Sequence, residues 1–227
     1  MVPLSSVEVS PNVRCLRYWP IFLRGAAGTL EYAFIAVFFG SILGILVALM
    51  RISRVGWLSK AAAVYANVLR GTPLLVQMYI AYYFLPMAIP ALNVMSRSFC
   101  VLLSLSLNSS AYVSEIIRSG IQSVDVGQSE AARSLGMTYS HCMRHIVMPQ
   151  AVKSILPALA NEYIAMVKET SLAGTFMLYE LMFTRTLLAN KFLVWQPLFI
   201  ISGIYLLITM VLTWLVKKME KRLAVSD

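Results

Sequence analysis

Long apolar stretches free of charged residues dominate the chain and are separated by short basic segments. Residues 32–50, 71–96, 98–114 and 197–216 contain no Asp, Glu, Lys or Arg. A helix needs roughly 20 apolar residues to cross the hydrocarbon core of a bilayer. Each stretch therefore predicts a membrane-spanning helix. We expect the second helix to end near Leu85, before a group of prolines, and the third to extend by about one further turn.

One more span is predicted between residues 154 and 184, although charged residues interrupt it. It is the fourth span in chain order, which makes five in total. These are Glu162, Lys168, Glu169 and Glu180. The apolar residues of this segment recur at helical spacing, at Ile155, Leu159, Tyr163, Met166 and Val167. Five spans place the two chain termini on opposite sides of the membrane.

The distribution of Lys and Arg predicts the orientation. With the C-terminus in the cytoplasm, the inner segments hold 11 basic residues and the outer segments 6, as the positive-inside rule requires. We therefore expect an N-terminal extracytoplasmic segment (1–26) containing a short amphipathic helix. A transmembrane domain (27–217) and a cytoplasmic tail (218–227) follow, and a polar loop at about 119–150 lies on the cytoplasmic side between spans three and four.

Composition supports an integral membrane protein. The chain is 59% hydrophobic and 13% charged, whereas soluble domains are about 45–50% apolar and about 25% charged. The net charge of +9 is scattered between apolar runs and forms no continuous basic stripe, which argues against a nucleic-acid partner. The cysteines, Cys15, Cys100 and Cys142, have no repeating spacing and are interpreted as free thiols.

The polar loop predicts a hairpin of two short helices. A turn at 125–127 leads into a helix at 129–135, in which Ala131, Ala132 and Leu135 are expected to share a face. Gly136 is suited to stop this helix in a left-handed conformation. Thr138 then caps a second helix, which is expected to end at Pro149.

The loop resembles the EAA loop of ABC-transporter permease subunits. Glu130, Ala131 and Ala132 are followed after three residues by Gly136, and nine residues later by the segment 146–149. The family pattern is EAA, three residues, G, nine residues and I-x-L-P. The chain matches it at Ile146 and Pro149 and departs only at Met148, which replaces a leucine of similar volume.

Other stretches are similar to the polar amino acid branch of that family. They are Arg70-Gly71-Thr72-Pro73-Leu74-Leu75-Val76-Gln77, the run 112–128, Asn161-Glu162, and Lys168-Glu169-Thr170-Ser171-Leu172. Together with the loop they cover about residues 20–220. The resemblance implies an all-α integral membrane protein of the bacterial inner membrane, with the type I ABC importer permease fold and five transmembrane helices.

The resemblance also implies partners. The loop is then a coupling helix that docks on a separate dimeric ATPase subunit, through Glu130, Ala131, Ala132, Gly136, Ile146 and Pro149. The chain contains no G-x-x-x-x-G-K-[ST] phosphate-binding loop, so we expect ATP and Mg²⁺ to be bound by the ATPase. No cofactor and no catalytic activity are expected of this chain. A second permease subunit, identical or paralogous, an extracytoplasmic solute-binding protein, membrane lipid and an amino acid substrate complete the expected partners.

A substrate site is expected between spans two and four, where the family places it. Charge inside a span is costly unless it is paired or hydrated, so Glu162 is a candidate for the substrate's cationic group. Pro73 lacks an N–H and disfavours helix at Thr72, so we expect unwound backbone at the start of span two. Thr72, Gln77, Asn161 and Glu162 form the predicted lining. The alternative is that Glu162 pairs with Lys168 or Arg70 within the bundle.

Several other functions were weighed on the sequence. His141 and His145 are spaced for a metal, but Cys142 stands where a zinc protease needs glutamate, and no metal site is predicted. The sequence shows no catalytic pair, which argues against an intramembrane enzyme. The charged residues in span four argue against a scaffold protein, which would not need them. A secondary transporter or channel remains as an ATP-independent alternative. Glu162 favours a cationic substrate such as arginine, histidine or lysine, with glutamine or another polar amino acid as the alternative.

Overall fold

The computed structural model describes residues 18–89, 96–189 and 195–224, and all regular structure in these ranges is helical. The helices are α1 (Trp19–Ile52), α2 (Gly56–Gly71), α3 (Leu74–Tyr79), α4 (Leu85–Ala88), α5 (Arg97–Gln122), α6 (Val126–Ser134), α7 (Tyr139–Cys142), α8 (Met148–Glu169), α9 (Phe183–Leu188) and α10 (Trp195–Ala224). Two π-helical turns join α3 to α4 (Ile80–Phe84) and α7 to α8 (Met143–Val147), and a 3₁₀ segment (Thr170–Phe176) follows α8.

Three of the described helices are long and apolar enough to cross a membrane: α1, α5 and α10. The segment Leu74–Ala88 is apolar but shorter, and α8 does not reach the same hydropathy. The count of five spans therefore stays a prediction. Helix α1 begins at Trp19 and α10 continues to Ala224, so parts of the predicted terminal segments are continuous with helices. Residues 1–17 lie outside the described residues.

Helices α1 and α5 form the most extensive contact in the structure. Two glycines of α1 permit the close approach. A Cβ at Gly40 would lie 2.7 Å from the Ser109 Cβ, and a Cβ at Gly44 would lie 2.7 Å from the Val113 Cβ. The main hydrophobic core surrounds this contact and includes residues of α3, α8 and the 3₁₀ segment. Small residues at four-residue spacing thus allow tight helix packing.

The second predicted span is a helix interrupted near its middle. Helix α2 begins at Gly56 and ends at Gly71, Thr72 is extended with ψ of 146°, and α3 starts at Leu74. The unwound backbone expected at Thr72 is confirmed, whereas helical structure begins earlier than the predicted span, at Gly56. The helix also continues past Leu85, because Pro86 occupies the first turn of α4 directly after a π-helical turn, where a missing N–H is tolerated.

The predicted helix over 154–184 is correct only in its first part. Helix α8 ends at Glu169, and the 3₁₀ segment leads to Met177, whose φ of 63° is left-handed. The chain then folds back against α1, where Gly25 and Gly28 contact the backbone of residues 179–181. Apolar residues in a tightly packed turn produce the same pattern as a buried helix, so periodicity alone extended the helix too far.

Candidate functional site

The hairpin between α5 and α8 contains two short helices, α6 and α7, and each begins with a side-chain cap. Asp125 caps α6, its Oδ1 accepting a hydrogen bond of 2.7 Å from the Gly127 N–H. Gly136 has a φ of +84°, and the Met137 N–H donates across it to the Ala132 carbonyl at 3.1 Å. The Thr138 hydroxyl accepts from the His141 N–H and caps α7. The left-handed Gly136 and the Thr138 cap are confirmed. The turn predicted at 125–127 is wrong, because Asp125 caps a helix that already includes Val126 and Gly127.

The hairpin has its own small core and an exposed outer surface. Ala132, Cys142 and Val147 are buried together, with Ile146 packed against them. Glu130, Ala131, Gly136 and Pro149 are exposed, and Leu135 is 86% exposed. The prediction that Ala132 shares a face with Leu135 is wrong, because Ala132 closes the hairpin from inside. A cavity of about 270 Å³ lies between the hairpin and the end of α5.

The sequence predicts that the second hairpin helix ends at Pro149, but in the structure this helix continues. Helix α7 continues through the π-helical turn into α8 without a break. Pro149 stands in the first turn of α8, where the wider turn before it removes the need for a proline N–H. The hairpin is therefore mechanically continuous with the helix that carries Asn161 and Glu162.

The break between α2 and α3 is closed by a glutamine side chain. The Gln77 Nε2 donates to the Leu69 carbonyl at 2.7 Å, to the Thr72 carbonyl at 3.1 Å and to the Thr72 Oγ1 at 2.9 Å. The Gln77 Oε1 accepts from the Asn108 Nδ2 at 3.1 Å. The Leu69 and Thr72 carbonyls, which the break leaves without helical partners, thus accept hydrogen bonds from the Gln77 side chain, which stabilises the break.

Among the described residues, Glu162 has one hydrogen-bond donor. The Ser109 Oγ donates to its Oε1 at 3.1 Å, and neither Lys168 nor Arg70 pairs with it, so the predicted ion-pair alternative is wrong. Asn161 is exposed on the neighbouring face of α8. A carboxylate accepts up to about four hydrogen bonds, so Glu162 retains capacity for a further donor.

Helix α5 joins the two parts of the predicted site. Asn108 contacts Gln77 and its neighbour Ser109 contacts Glu162. Thr72 and Gln77 are therefore in direct contact, and Glu162 is linked to them through consecutive residues of α5. Asn161 adjoins Glu162 along α8, and within the part of the chain that the structure describes no hydrogen bond joins its side chain to Thr72 or Gln77. The sequence did not single out Asn108 and Ser109, although a run of polar residues in the middle of span three was a usable signal.

A second polar cluster joins α1, α2 and α5 around Glu115. Its Oε2 lies 2.6 Å from the Arg51 Nη1 and 3.1 Å from the Arg70 Nη1, and its Oε1 accepts from Arg118. Arg118 also donates to the Gln122 side chain. The i, i+3 spacing of Glu115 and Arg118 on one helix is a sequence signal for an ion pair. Arg51 and Arg70 are distant in sequence and reach Glu115 only because the helices pack together.

A third carboxylate, Glu180, is buried between α1, α9 and α10. It accepts hydrogen bonds from the N–H groups of Met182 and Phe183, both at 2.6 Å, and from the Tyr205 hydroxyl at 3.0 Å. Beside it, the Leu181 N–H donates to the Thr29 hydroxyl at 3.0 Å. Glu180 thereby fixes the fold-back of the chain that the sequence predicted as helix.

The architecture defines the class of protein. It is similar to a chain in a crystal structure of an amino acid ABC transporter with histidines, with a TM-score of 0.86 and 39% identity over 92% of this chain and 97% of that chain. An inward-facing structure of the methionine ABC transporter MetNI, at 14% identity and a TM-score of 0.76, has the same fold. This is the all-α fold of type I ABC importer permeases.

The sequence assigns the family. The model of the binding-protein-dependent transport system inner membrane component matches residues 40–225, and the chain belongs to this family. It is 38% identical to the arginine transport system permease protein ArtQ of Bacillus subtilis, over 92% of this chain and 94% of that protein. It is 41% identical to the nopaline transport system permease protein NocM of Agrobacterium fabrum, over 89% and 87%. The chain is an amino acid ABC transporter permease, a multi-pass protein of the inner membrane.

Proposed function

We propose that this permease imports a polar amino acid by alternating access, driven by a separate dimeric ATPase. A second permease subunit completes the translocation path, and an extracytoplasmic solute-binding protein delivers the substrate. The absence of a phosphate-binding loop from the sequence supports an ATPase on another polypeptide. The excess of basic residues around the hairpin supports an orientation with the N-terminus outside and the hairpin and C-terminus in the cytoplasm.

The observation that carries the coupling role is the unbroken helical path from α7 to α8. Glu130, Ala131 and Gly136 are exposed on the hairpin, where a partner can reach them. Glu162 lies on the helix into which the hairpin continues. A displacement of the hairpin by the ATPase therefore moves α8 directly, and with it the predicted substrate contact.

The substrate contact is proposed at Glu162, with Asn161 and Thr72 beside it and Gln77 supporting the wall. The free hydrogen-bonding capacity of Glu162 suits an ammonium or guanidinium group. A cationic amino acid is the favoured substrate, and the Bacillus subtilis relative ArtQ is described as an arginine transport system permease protein. Glutamine is the alternative, since its α-ammonium can occupy the same place, and a Rickettsia bellii relative at 36% identity is described as a putative glutamine transport system permease protein.

The coupling role is tested by the change Gly136→Asp in proteoliposomes that contain the permease, its ATPase and its binding protein. A side chain at a φ of +84° strains the turn, so we expect normal membrane insertion but loss of ATPase co-purification and of uptake. The matched control is Ser134→Asp, which adds the same charge to the exposed end of α6 without a left-handed residue. Wild-type uptake by Gly136→Asp would contradict the docking role.

The substrate contact is tested by Glu162→Leu and Glu162→Gln in the same system. Loss of one charge-assisted contact is worth about 1.5–3 kcal/mol, so we expect at least about tenfold slower uptake of a cationic amino acid. Glu169→Gln, a change to a partly buried carboxylate seven positions further along α8, is the control. Full uptake by well-expressed Glu162→Leu would remove this residue from the site.

A further inference from the structure

The cluster around Glu115 carries more positive than negative charge. Three guanidinium groups, from Arg51, Arg70 and Arg118, surround a single carboxylate. The Glu115 side chain is only 21% exposed, and two of the helices that meet there, α1 and α5, are long and apolar enough to cross a membrane. Uncompensated charge in such surroundings is costly. The surplus therefore favours binding of an additional anion.

The three arginines are held to different degrees. The Arg51 side chain is 11% exposed and lies 2.6 Å from the Glu115 carboxylate. Arg118 is bound to both Glu115 and Gln122. Arg70 is 35% exposed and lies at the longer distance of 3.1 Å, with its guanidinium over the Tyr112 ring at 5.6 Å. Arg70 is thus the member that can leave Glu115 while two arginines continue to satisfy that carboxylate.

Arg70 is also next to the predicted substrate site. It is the penultimate residue of α2 and directly precedes the break at Gly71–Pro73. Along α5, Glu115 lies six residues beyond Ser109, the partner of Glu162, which corresponds to about 9 Å of helix rise. An amino acid carries a carboxylate as well as a cationic group, and Glu162 offers a partner only for the latter.

We propose that Arg70 binds the α-carboxylate of the transported amino acid by exchanging its contact with Glu115 for the substrate. The inference deepens the proposed function and rests on the site at Glu162. A guanidinium binds a carboxylate through two parallel N–H···O hydrogen bonds. Glu115 is then a positioning residue, which holds the Arg70 guanidinium beside the break until substrate arrives. The substrate's cationic group is then held at Glu162 and its carboxylate at Arg70.

The test compares each amino acid with its α-carboxamide, which lacks the negative charge. Arginine and argininamide, and glutamine and its α-carboxamide, are titrated against the purified permease–ATPase complex. The solute-binding protein is left out, so that the measured preference belongs to the permease. We expect the wild-type complex to bind the preferred amino acid at least about tenfold more tightly than its amide, as one charge-assisted pair supplies. In Arg70→Gln the ratio of the two affinities should fall to about one, with the affinity for the amide unchanged.

Two further variants keep the result interpretable. Lys60→Gln removes a positive charge from an exposed position near the start of α2, outside the cluster, and should retain the wild-type ratio. Arg70→Lys keeps the charge but loses the two-point geometry, and should give an intermediate ratio. An unchanged ratio in Arg70→Gln, or an equal loss in Lys60→Gln, would overturn the proposal and leave another anion, such as a lipid headgroup phosphate, as the counter-ion.

Failure of the Glu162 site has a different signature. If Glu162→Gln keeps wild-type affinity for both compounds while Arg70→Gln loses the preference for the carboxylate, the Glu162 assignment is wrong and the role of Arg70 stands. If Glu162→Gln weakens binding of both compounds equally while Arg70→Gln changes neither, the site at Glu162 stands and the role of Arg70 is refuted.

Discussion

Two buried regions of this permease each contain a carboxylate, and they are built in opposite ways. Glu180 is fully buried and accepts two backbone N–H groups and the Tyr205 hydroxyl, all within 3.0 Å. Glu162 is partly buried and accepts one hydroxyl, from Ser109. The first carboxylate receives two of its three donors from its own loop. The second is left with acceptor capacity at a place where α8 meets the polar face of α5.

The difference separates a structural group from a ligand-binding one. Donors that come from backbone within three residues form whenever the loop folds, so Glu180 stabilises the fold-back between α8 and α10. A buried carboxylate with few donors is costly in the absence of a partner, and that cost is offset when a cation binds. We therefore expect changes at Glu180 to lower the stability of the fold and changes at Glu162 to lower the rate of transport.

The largest loss of stability is expected for Glu180→Ala. Three donors lose their acceptor in a buried site, and each unsatisfied donor costs about 1–3 kcal/mol, so the free energy of unfolding should fall by at least about 3 kcal/mol. Unfolding in mixed detergent micelles measures this change. Glu169→Ala, at a carboxylate that is only partly buried, serves as the control. Equal stability of the two variants would show that the Glu180 contacts are not structural.

A smaller loss is expected for Gly28→Ala on α1. A Cβ at this position would collide with the Tyr179 carbonyl oxygen, so the loop that carries Glu180 must move away, at a cost of about 1–3 kcal/mol. Gly203→Ala on α10 is the matched control, because nothing lies within 4 Å of its Cβ position. If both glycines tolerate alanine equally, the close packing of the loop on α1 is not required for stability.

Tyr205→Phe should have an effect of about 1.5 kcal/mol, since it removes one of three donors to a carboxylate. The comparison is Tyr65→Phe, whose hydroxyl bonds to the neutral Ser110 Oγ at 2.7 Å and should cost nearer about 1 kcal/mol. Both are measured by the same micellar unfolding. A larger loss for Tyr65→Phe would indicate that the Glu180 site gains little from its third donor.

The smallest change in stability is expected for Glu162→Gln, within about 1 kcal/mol of wild type. The amide oxygen still accepts from Ser109, and removal of a buried charge compensates for weaker hydrogen bonding. Uptake should nevertheless fall, so that Glu162→Gln lowers transport with little loss of stability, whereas Glu180→Ala lowers stability. Destabilisation comparable with that of Glu180→Ala, at normal uptake per folded molecule, would make Glu162 a structural residue and abolish the contrast between the two regions.

Much of the architecture could be predicted from the sequence. Charge-free stretches identified α1, α5 and α10, because burying about 20 apolar residues in lipid leaves few alternatives. The hairpin was predicted down to the left-handed Gly136 and the Thr138 cap, since turns and caps depend on residues close in sequence. The motif around Glu130 and Ala131 pointed to the family that the comparisons confirm.

Tertiary structure alone decided how distant polar groups are paired. Gln77 reaches back to the carbonyl of Leu69, Glu115 collects arginines from α1 and α2, and the chain after Glu169 turns back onto α1. Local patterns report the apolar or polar character of a residue, but the partner of a buried polar group depends on which helices pack together. For that reason the sequence predicted the long apolar helices and the Gly136 turn and Thr138 cap of the hairpin. Packing determined how many hydrogen-bond donors each buried carboxylate receives.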